Sequence, residues 1–248
     1  MISRRSFLAG SALAGLYALG SPAMAAGTPW RNWSGALLAH PAGRFAPGTE
    51  AELVDWLRTT RGALRPVGAG HSFTPLVPTD GQLLVLDRLN GLIDHDPESL
   101  QATFGAGTRL SSLGPALEAV GQGPLILPDI DRQTLAGAIS TGTHGTGLTL
   151  HSLSGNVTRL RMVTAAGEVI EASEASDADL FRAACVSVGA LGIITEATMQ
   201  NRAAYRLKAR NWAQRIDEVL EGFEQSATAH RHFEMFPLTH SDYALVLA

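Results

Sequence analysis

Two glycine-rich stretches hold the residues best suited to chemistry in this sequence. The first, GAGHSF (Gly68–Phe73), closes an apolar run ending in Pro66-Val67. The second, STGTHGTG (Ser140–Gly147), interleaves glycines and threonines around another histidine, His144. Glycines let a backbone approach a ligand closely and present several N–H groups at once, which suits an anion. A phosphate-transferring loop of this kind also needs a lysine beside its glycines. The sole lysine, Lys208, is far along the chain from both stretches. Amides and hydroxyls without a lysine suit a pyrophosphate that is held and not transferred, as in a tightly bound dinucleotide. Either stretch alone reads more readily as an ordinary glycine turn than as a ligand loop. His71, inside the first loop, adds a second possibility, because a neutral imidazole is a competent nucleophile at neutral pH.

Other reactive side chains lack a supporting pattern. His230 and His232 lie two apart on an expected strand, which fits a packed or solvated strand end better than a metal site. Ser72 is outside the Gly-x-Ser-x-Gly setting of a hydrolase elbow. Asp129 and Asp131 resemble a carboxylate pair, but a turn opening on Pro128-Asp129 explains them more simply. His144 reads equally as a structural hydrogen-bonding group or a functional one. Cys185 stands alone among small residues and reads as a buried thiol.

These residues need elements to position them. The 248-residue chain is 45% apolar, with a formal net charge of −4 and no basic stripe. That describes a globular core and gives no footing for nucleic acid. Ser3-Arg4-Arg5-Ser6-Phe7-Leu8, a short Ala/Leu/Gly run and Ala23-Met24-Ala25 form a twin-arginine export signal over residues 1–25, too short to span a membrane as an anchor. Residues 26–36 read as a linker. Thr49-Glu50-Ala51-Glu52 is a capping box that opens a helix with Leu53, Trp56 and Leu57 on one face. Strands are expected over 63–67, 83–86, 100–104 and 193–199, with a hairpin over 157–172 that turns at Ala166-Gly167. Leu110, Leu113 and Leu117 recur at helical spacing, and Pro115 predicts that this helix begins late. Helices and strands interleave irregularly, so the expected class is α+β. Beyond Arg202 the spacing predicts an amphipathic helix over 212–227 and two strands over 232–236 and 242–247. The last strand would stand as an unpaired edge, and the chain's end in it suggests a truncated second domain over 203–248.

Three spaced blocks in order carry a family resemblance: RPVGAGHSF, LPDIDRQTLAGAISTGTHGTG and GALGIITEATMQ. They resemble the flavin-binding domain of the aldonolactone and alditol oxidases, in the vanillyl-alcohol-oxidase (PCMH-type) flavoprotein superfamily. The resemblance runs from about Leu37 to Arg202. WRNWSG before it also matches, and HFEMFPLTHSD is similar to the opening of that family's substrate-binding domain. The implied fold is two α/β subdomains that hold FAD, followed by the start of a substrate domain.

The resemblance also implies roles. His71 would form a covalent bond to the 8-methyl carbon of FAD, the alternative being a histidine that only hydrogen-bonds the cofactor. Ala69, Gly70, Ser72 and Phe73 would line the flavin. Thr134, Gly137, Ala138, Ile139 and Ser140 would meet the pyrophosphate and ribityl chain, with His144 and Gly145 close by. Ile194 would pack toward the adenine. Pro128 occupies the position of the family's oxygen gate, and Asp129 follows where many relatives carry serine. The implied activity is oxidation of a secondary alcohol of an aldono-1,4-lactone or alditol in the periplasm or outside the cell. Electrons would leave to O2 or another acceptor, and the catalytic base would lie beyond Ala248. The alternatives are a flavin-binding remnant without turnover and a reductase or dehydrogenase on the same fold.

Overall fold

The structure, a computed structural model, describes residues 28–248. The expected export signal and its expected cleavage site lie outside the described residues. A short hairpin opens the chain, β1 (Trp30–Arg31) pairing antiparallel with β2 (Leu38–Ala39). It falls within and just after the expected linker.

The first layer is a parallel three-stranded sheet, in which β5 (Gln82–Val85) lies between β3 (Gly43–Phe45) and β4 (Leu64–Val67). Helix α1 (Glu50–Thr59) follows β3. Thr49 caps it by accepting the Glu52 N–H at 3.2 Å, and the Glu52 carboxylate accepts the Gly48 N–H at 2.7 Å. Leu53 and Leu57 turn inward, and Trp56 stacks on Phe45 at 4.5 Å.

The second layer is antiparallel. Its strands are β6 (Leu92–Asp96), β7 (Gln101–Gly105), β9 (Val157–Val163), β10 (Val169–Ser173) and β11 (Ile193–Ala203), in the order β10-β9-β11-β7-β6. β8 (Gln122–Pro124) adds to the end of β11. The expected hairpin is β9–β10. β6 was not expected, since its acidic residues look like a turn. It is an edge strand whose Asp94, His95 and Asp96 are exposed, and charge on an edge discourages further pairing. Helices α2 (Leu110–Ala119), α3 (Leu135–Ser140) and α4 (Ala178–Cys185) cover this sheet.

Two helix expectations need correction. α2 begins at Leu110 and carries Pro115 inside. The residue before a proline resists helix because its Cβ meets the ring, and Gly114 has no Cβ. The helix expected over 212–227 is instead strand β12 (Asn211–Arg215) followed by two short helices, α5 (Ile216–Glu221) and α6 (Phe223–Ala229), parted at Gly222. Val219 is its buried residue, while Leu220 is exposed. With β13 (Glu234–Pro237) and β14 (Tyr243–Leu247), β12 forms a sheet of order β12-β14-β13. The last strand is thus the centre of its sheet, not an edge.

One continuous core joins the first two layers. Phe45, Leu53 and Leu84 of the parallel part meet Leu117, Ile139, Leu160 and Met162 of the antiparallel part. Val219, Phe233 and Val246 make a small separate core under the third sheet. Among the described residues no helix is long and apolar enough to cross a membrane.

Candidate functional site

β4 delivers the first glycine loop, and α3 opens into the second cluster. Their closest approach is made by Thr134, the buried N-cap residue of α3. A Cβ on Gly68 would stand 2.2 Å from Thr134 Oγ1, and one on Gly137 would stand 2.9 Å from the same oxygen. One threonine side chain therefore fits between Gly68 of the first loop and Gly137 of α3 and sets the spacing of loop and helix. Gly70 has φ +68°, a left-handed conformation that favours glycine.

Between the layers lies a cleft of about 300 Å³. Of the residues singled out from sequence, Ala69, Gly70, His71, Ser72, Thr134, Gly137, Ser140 and Ile194 line it. Ala138 and Ile139 are on the opposite side of α3, fully buried in the core, as helical periodicity requires when Gly137 and Ser140 face the cleft. Phe73 stands outside, 68% exposed, with its edge against Trp33. His144 turns Nδ1 to the Gly145 carbonyl at 3.0 Å, and Gly145 lies against the Leu127 carbonyl. Pro128 and Asp129 are off the cleft wall. Asp129 is near Glu234 of β13, whose carboxyl is pushed up by burial and by the Asp129 charge.

Sequence reasoning passed over another wall. Ala106 and Gly107 line the cleft from the loop after β7, and that loop repeats the Gly-Ala-Gly of the first (Gly105-Ala106-Gly107). The repeat was the available signal. Val188, Gly189 and Gly192 form the wall before β11. Val188 has φ +47°, a strained setting for a β-branched residue that places this turn at the cleft. Cys185 is half-buried and not on the cleft wall, its thiol pushed up first by burial and then by the Glu174 charge.

The polar groups of the cleft suit a dinucleotide. The N–H groups of Ala69, Gly70, His71 and Ser72 have no acceptor among the described residues. In α3 the Leu135 and Ala136 N–H groups are taken by the carbonyls of Thr108 (2.8 Å) and Ala106 (3.0 Å), while that of Gly137 has no acceptor among the described residues. Gln133 Oε1 is buried on the cleft wall with no partner among the described residues, and a buried amide calls for one. Unpaired N–H groups fit a pyrophosphate, and an unpartnered amide oxygen fits a hydroxyl or a ring N–H that donates to it. Among the described residues no cluster of metal-ligating side chains occurs.

A cleft between a small parallel sheet and a larger antiparallel one, walled by glycine loops, defines an FAD-holding domain. The sequence matches the FAD binding domain family over residues 41–173, just over half of the chain. The chain belongs to that family. It is 36% identical over 219 residues to the L-gulono-1,4-lactone dehydrogenase of Mycobacterium tuberculosis, covering 87% of this chain and 50% of that protein. It is 30% identical over 224 residues to the L-gulonolactone oxidase of Mus musculus, covering 89% of this chain and 51% of that protein. With the D-arabinono-1,4-lactone oxidase of Candida glabrata the identity is 31% over 207 residues, covering 81% of this chain and 39% of that protein. The chain spans about half the length, or less, of these relatives. A variant of cholesterol oxidase from Brevibacterium sterolicum has the same fold, with a TM-score of 0.79 at 20% identity over 94% of this chain and 49% of that one.

The resemblance to the aldonolactone oxidases therefore holds, and FAD is the cofactor. The residues present fit it. The loop of Gly68–Ser72 and the cleft face of α3 would hold the flavin and pyrophosphate, with Gln133 and Ile194 on the remaining walls.

Proposed function

We propose that this chain carries the flavin-binding part of an FAD-dependent oxidoreductase that oxidises a secondary alcohol of an aldono-1,4-lactone, an alditol or a similar sugar-derived molecule. The single observation that carries the reading is the cleft, where both glycine loops converge on His71 in a chain of the FAD-binding family. Relatives named as L-gulonolactone oxidase and D-arabinono-1,4-lactone oxidase support the substrate class. FAD when bound accepts the carbinol hydride while a base takes the hydroxyl proton. The chain's part is to hold that cofactor beside the segment leading into β13, which meets the second glycine cluster where Thr146 O and His232 Nδ1 stand 3.0 Å apart.

His71 is the proposed covalent tether. Its imidazole nitrogen would bond the flavin 8-methyl carbon, with one methyl C–H bond and the imidazole N–H bond each giving up a proton. Bond formation of this kind would leave two electrons on the cofactor, which an external two-electron acceptor such as dioxygen would have to take up. The chain's part is to present His71 on the cleft wall. A visible spectrum with flavin bands, and turnover of a sugar lactone by a form extended to the relatives' length, test the reading. Absence of flavin from purified protein would sink it.

Two electron acceptors are open to such an enzyme. Proline at the gate position, Pro128, supports O2, whereas the relative named as a dehydrogenase favours another acceptor. Anaerobic reduction followed by stopped-flow mixing with air separates them, and fast reoxidation marks the oxidase.

Export by the twin-arginine route to the periplasm or beyond belongs to the same proposal, and Arg4, Arg5 and the Ala23-Met24-Ala25 site support it. Replacing both arginines by lysine keeps the charge but removes the planar guanidinium pair. The double variant should lose periplasmic protein without losing flavin. Unchanged export would count against this route.

A further inference from the structure

Asn32 and Trp33 hold three successive carbonyl oxygens of the histidine loop. The Trp33 backbone N–H donates to Gly70 O at 3.1 Å, and its indole Nε1 donates to His71 O at 3.0 Å. Asn32 Nδ2 donates to Ser72 O at 3.2 Å. Asn32 is itself fixed, 3% exposed, with Oδ1 accepting the Leu37 N–H at 3.0 Å and the Ser34 hydroxyl at 3.3 Å. In a trans peptide each carbonyl stands opposite the N–H of the next residue. Carbonyls turned toward Asn32 and Trp33 therefore turn the N–H groups of His71, Ser72 and Phe73 away from them. None of those three has an acceptor among the described residues.

The His71 ring is held differently. Among the described residues neither ring nitrogen makes a hydrogen bond, so no such bond there fixes the ring, which lies on the cleft wall. The Trp33 indole stacks on it instead, with ring centroids 5.1 Å apart and planes 17° from parallel. Phe73 meets Trp33 edge-on at 5.7 Å and 76°. Trp33 is 57% exposed, so its burial contributes modestly to the core. An unrestrained histidine would spread over several side-chain rotamers, and a flat partner on one face narrows that choice.

We propose that Trp33 is a positioning residue for His71, holding the imidazole in the orientation from which its nitrogen bonds the flavin 8-methyl carbon. This inference rests on the covalent reading above. Fixing a nucleophile in its attacking geometry raises a rate far more than it raises affinity. The stack should therefore govern how fast the tether forms, not how tightly FAD binds.

The test is a time course of covalent flavin incorporation into apoprotein incubated with FAD, read as flavin fluorescence in denaturing gels. Trp33→Ala should slow incorporation by about tenfold or more, since a loosely held nucleophile loses its pre-paid orientation. Trp33→Phe keeps a ring for the stack and loses only the indole N–H, so it should recover most of the wild-type rate. Trp33→Leu, with bulk but no ring, should behave like Trp33→Ala and serves if the alanine variant folds poorly. In a His71→Ala background, Trp33→Ala should change non-covalent FAD affinity by less than about threefold if its role is orientation. Equal covalent rates in wild type and Trp33→Ala would overturn the positioning role and leave the tether intact. Parallel losses of rate and affinity would overturn it in favour of a merely structural contact. A wild type that never binds flavin covalently would overturn both readings.

Discussion

At the residue scale, Thr134 explains why glycine stands at two separated positions. Its hydroxyl fills the space that a side chain at Gly68 or Gly137 would need. Gly68→Ala should destabilise the fold by about 1–3 kcal/mol, the usual cost of overpacking. Removing the hydroxyl and methyl with Thr134→Ala should relieve most of that cost, so a double-mutant cycle by chemical denaturation should show strong coupling. Additive losses would mean that Gly68 is needed for something other than Thr134. The two glycine loops and His71 are legible in the sequence because glycine spacing reports close approach. The division of α3 is legible only in part. Gly137 and Ser140 face the cleft while Ala138 and Ile139 face the core, and a run of small residues reads alike on both sides until the sheet beneath it is known.

At the element scale, α1 is joined to the antiparallel sheet through charge. Arg161 of β9 binds Glu50 of α1 through two guanidinium nitrogens, at 2.9 Å each, and Glu171 of β10 at 2.6 Å. Thr195 of β11 donates to Glu50 at 2.7 Å. This network ties the helix behind the first glycine loop to the strand that begins with Ile193 and Ile194 on the cleft wall. Glu50→Gln should cost about 1–3 kcal/mol, because Arg161 keeps only part of its pairing. Hydrogen bonding to Arg161 holds the Glu171 carboxyl below the ordinary carboxylate range, against some desolvation, with Arg159 adding to the effect. A folded pKa below the unfolded one contributes stability above the unfolded value and loses it as pH falls through the folded one. The melting temperature of wild type should thus fall more steeply than that of Glu171→Gln between roughly pH 5 and pH 3. Parallel curves would remove Glu171 from the account. Sequence pattern gave no access to this network, since ion pairs between distant elements leave no local period. It also missed β12, because Trp212, Ile216 and Leu220 match a helical stripe until Gly222 and the pairing of β12 with β14 intervene.

At the scale of the whole molecule, the first two layers share one core, and the third sheet is a smaller unit leaning on them. Arg231 donates to Leu125 O at 2.8 Å, and Tyr205 donates to Pro124 O at 2.8 Å. Phe236 and Tyr243 remain 44% and 47% exposed on that sheet. The flavin cleft is built wholly by the larger unit, so FAD binding should survive changes in the third sheet that abolish turnover. Leu245→Asp, on the exposed face of β14, should leave the flavin spectrum unchanged. Loss of flavin from that variant would show that the third sheet helps to build the cleft. The class of the fold and most elements of the first two layers were readable in advance, because turns, caps and apolar runs are local, while β6 and β12 were not. The meeting of the His71 loop, α3 and Ile194 at one cofactor was legible only through the family resemblance, and the walls of Ala106, Gly107, Val188 and Gly189 were not legible at all.

The most direct measurement of the central claim is acid precipitation of the purified protein, followed by the absorbance and fluorescence of pellet and supernatant. The account predicts that flavin stays with the wild-type pellet, and that His71→Ala leaves its flavin in the supernatant. Wild-type flavin released on precipitation, or flavin still attached to His71→Ala, would contradict it.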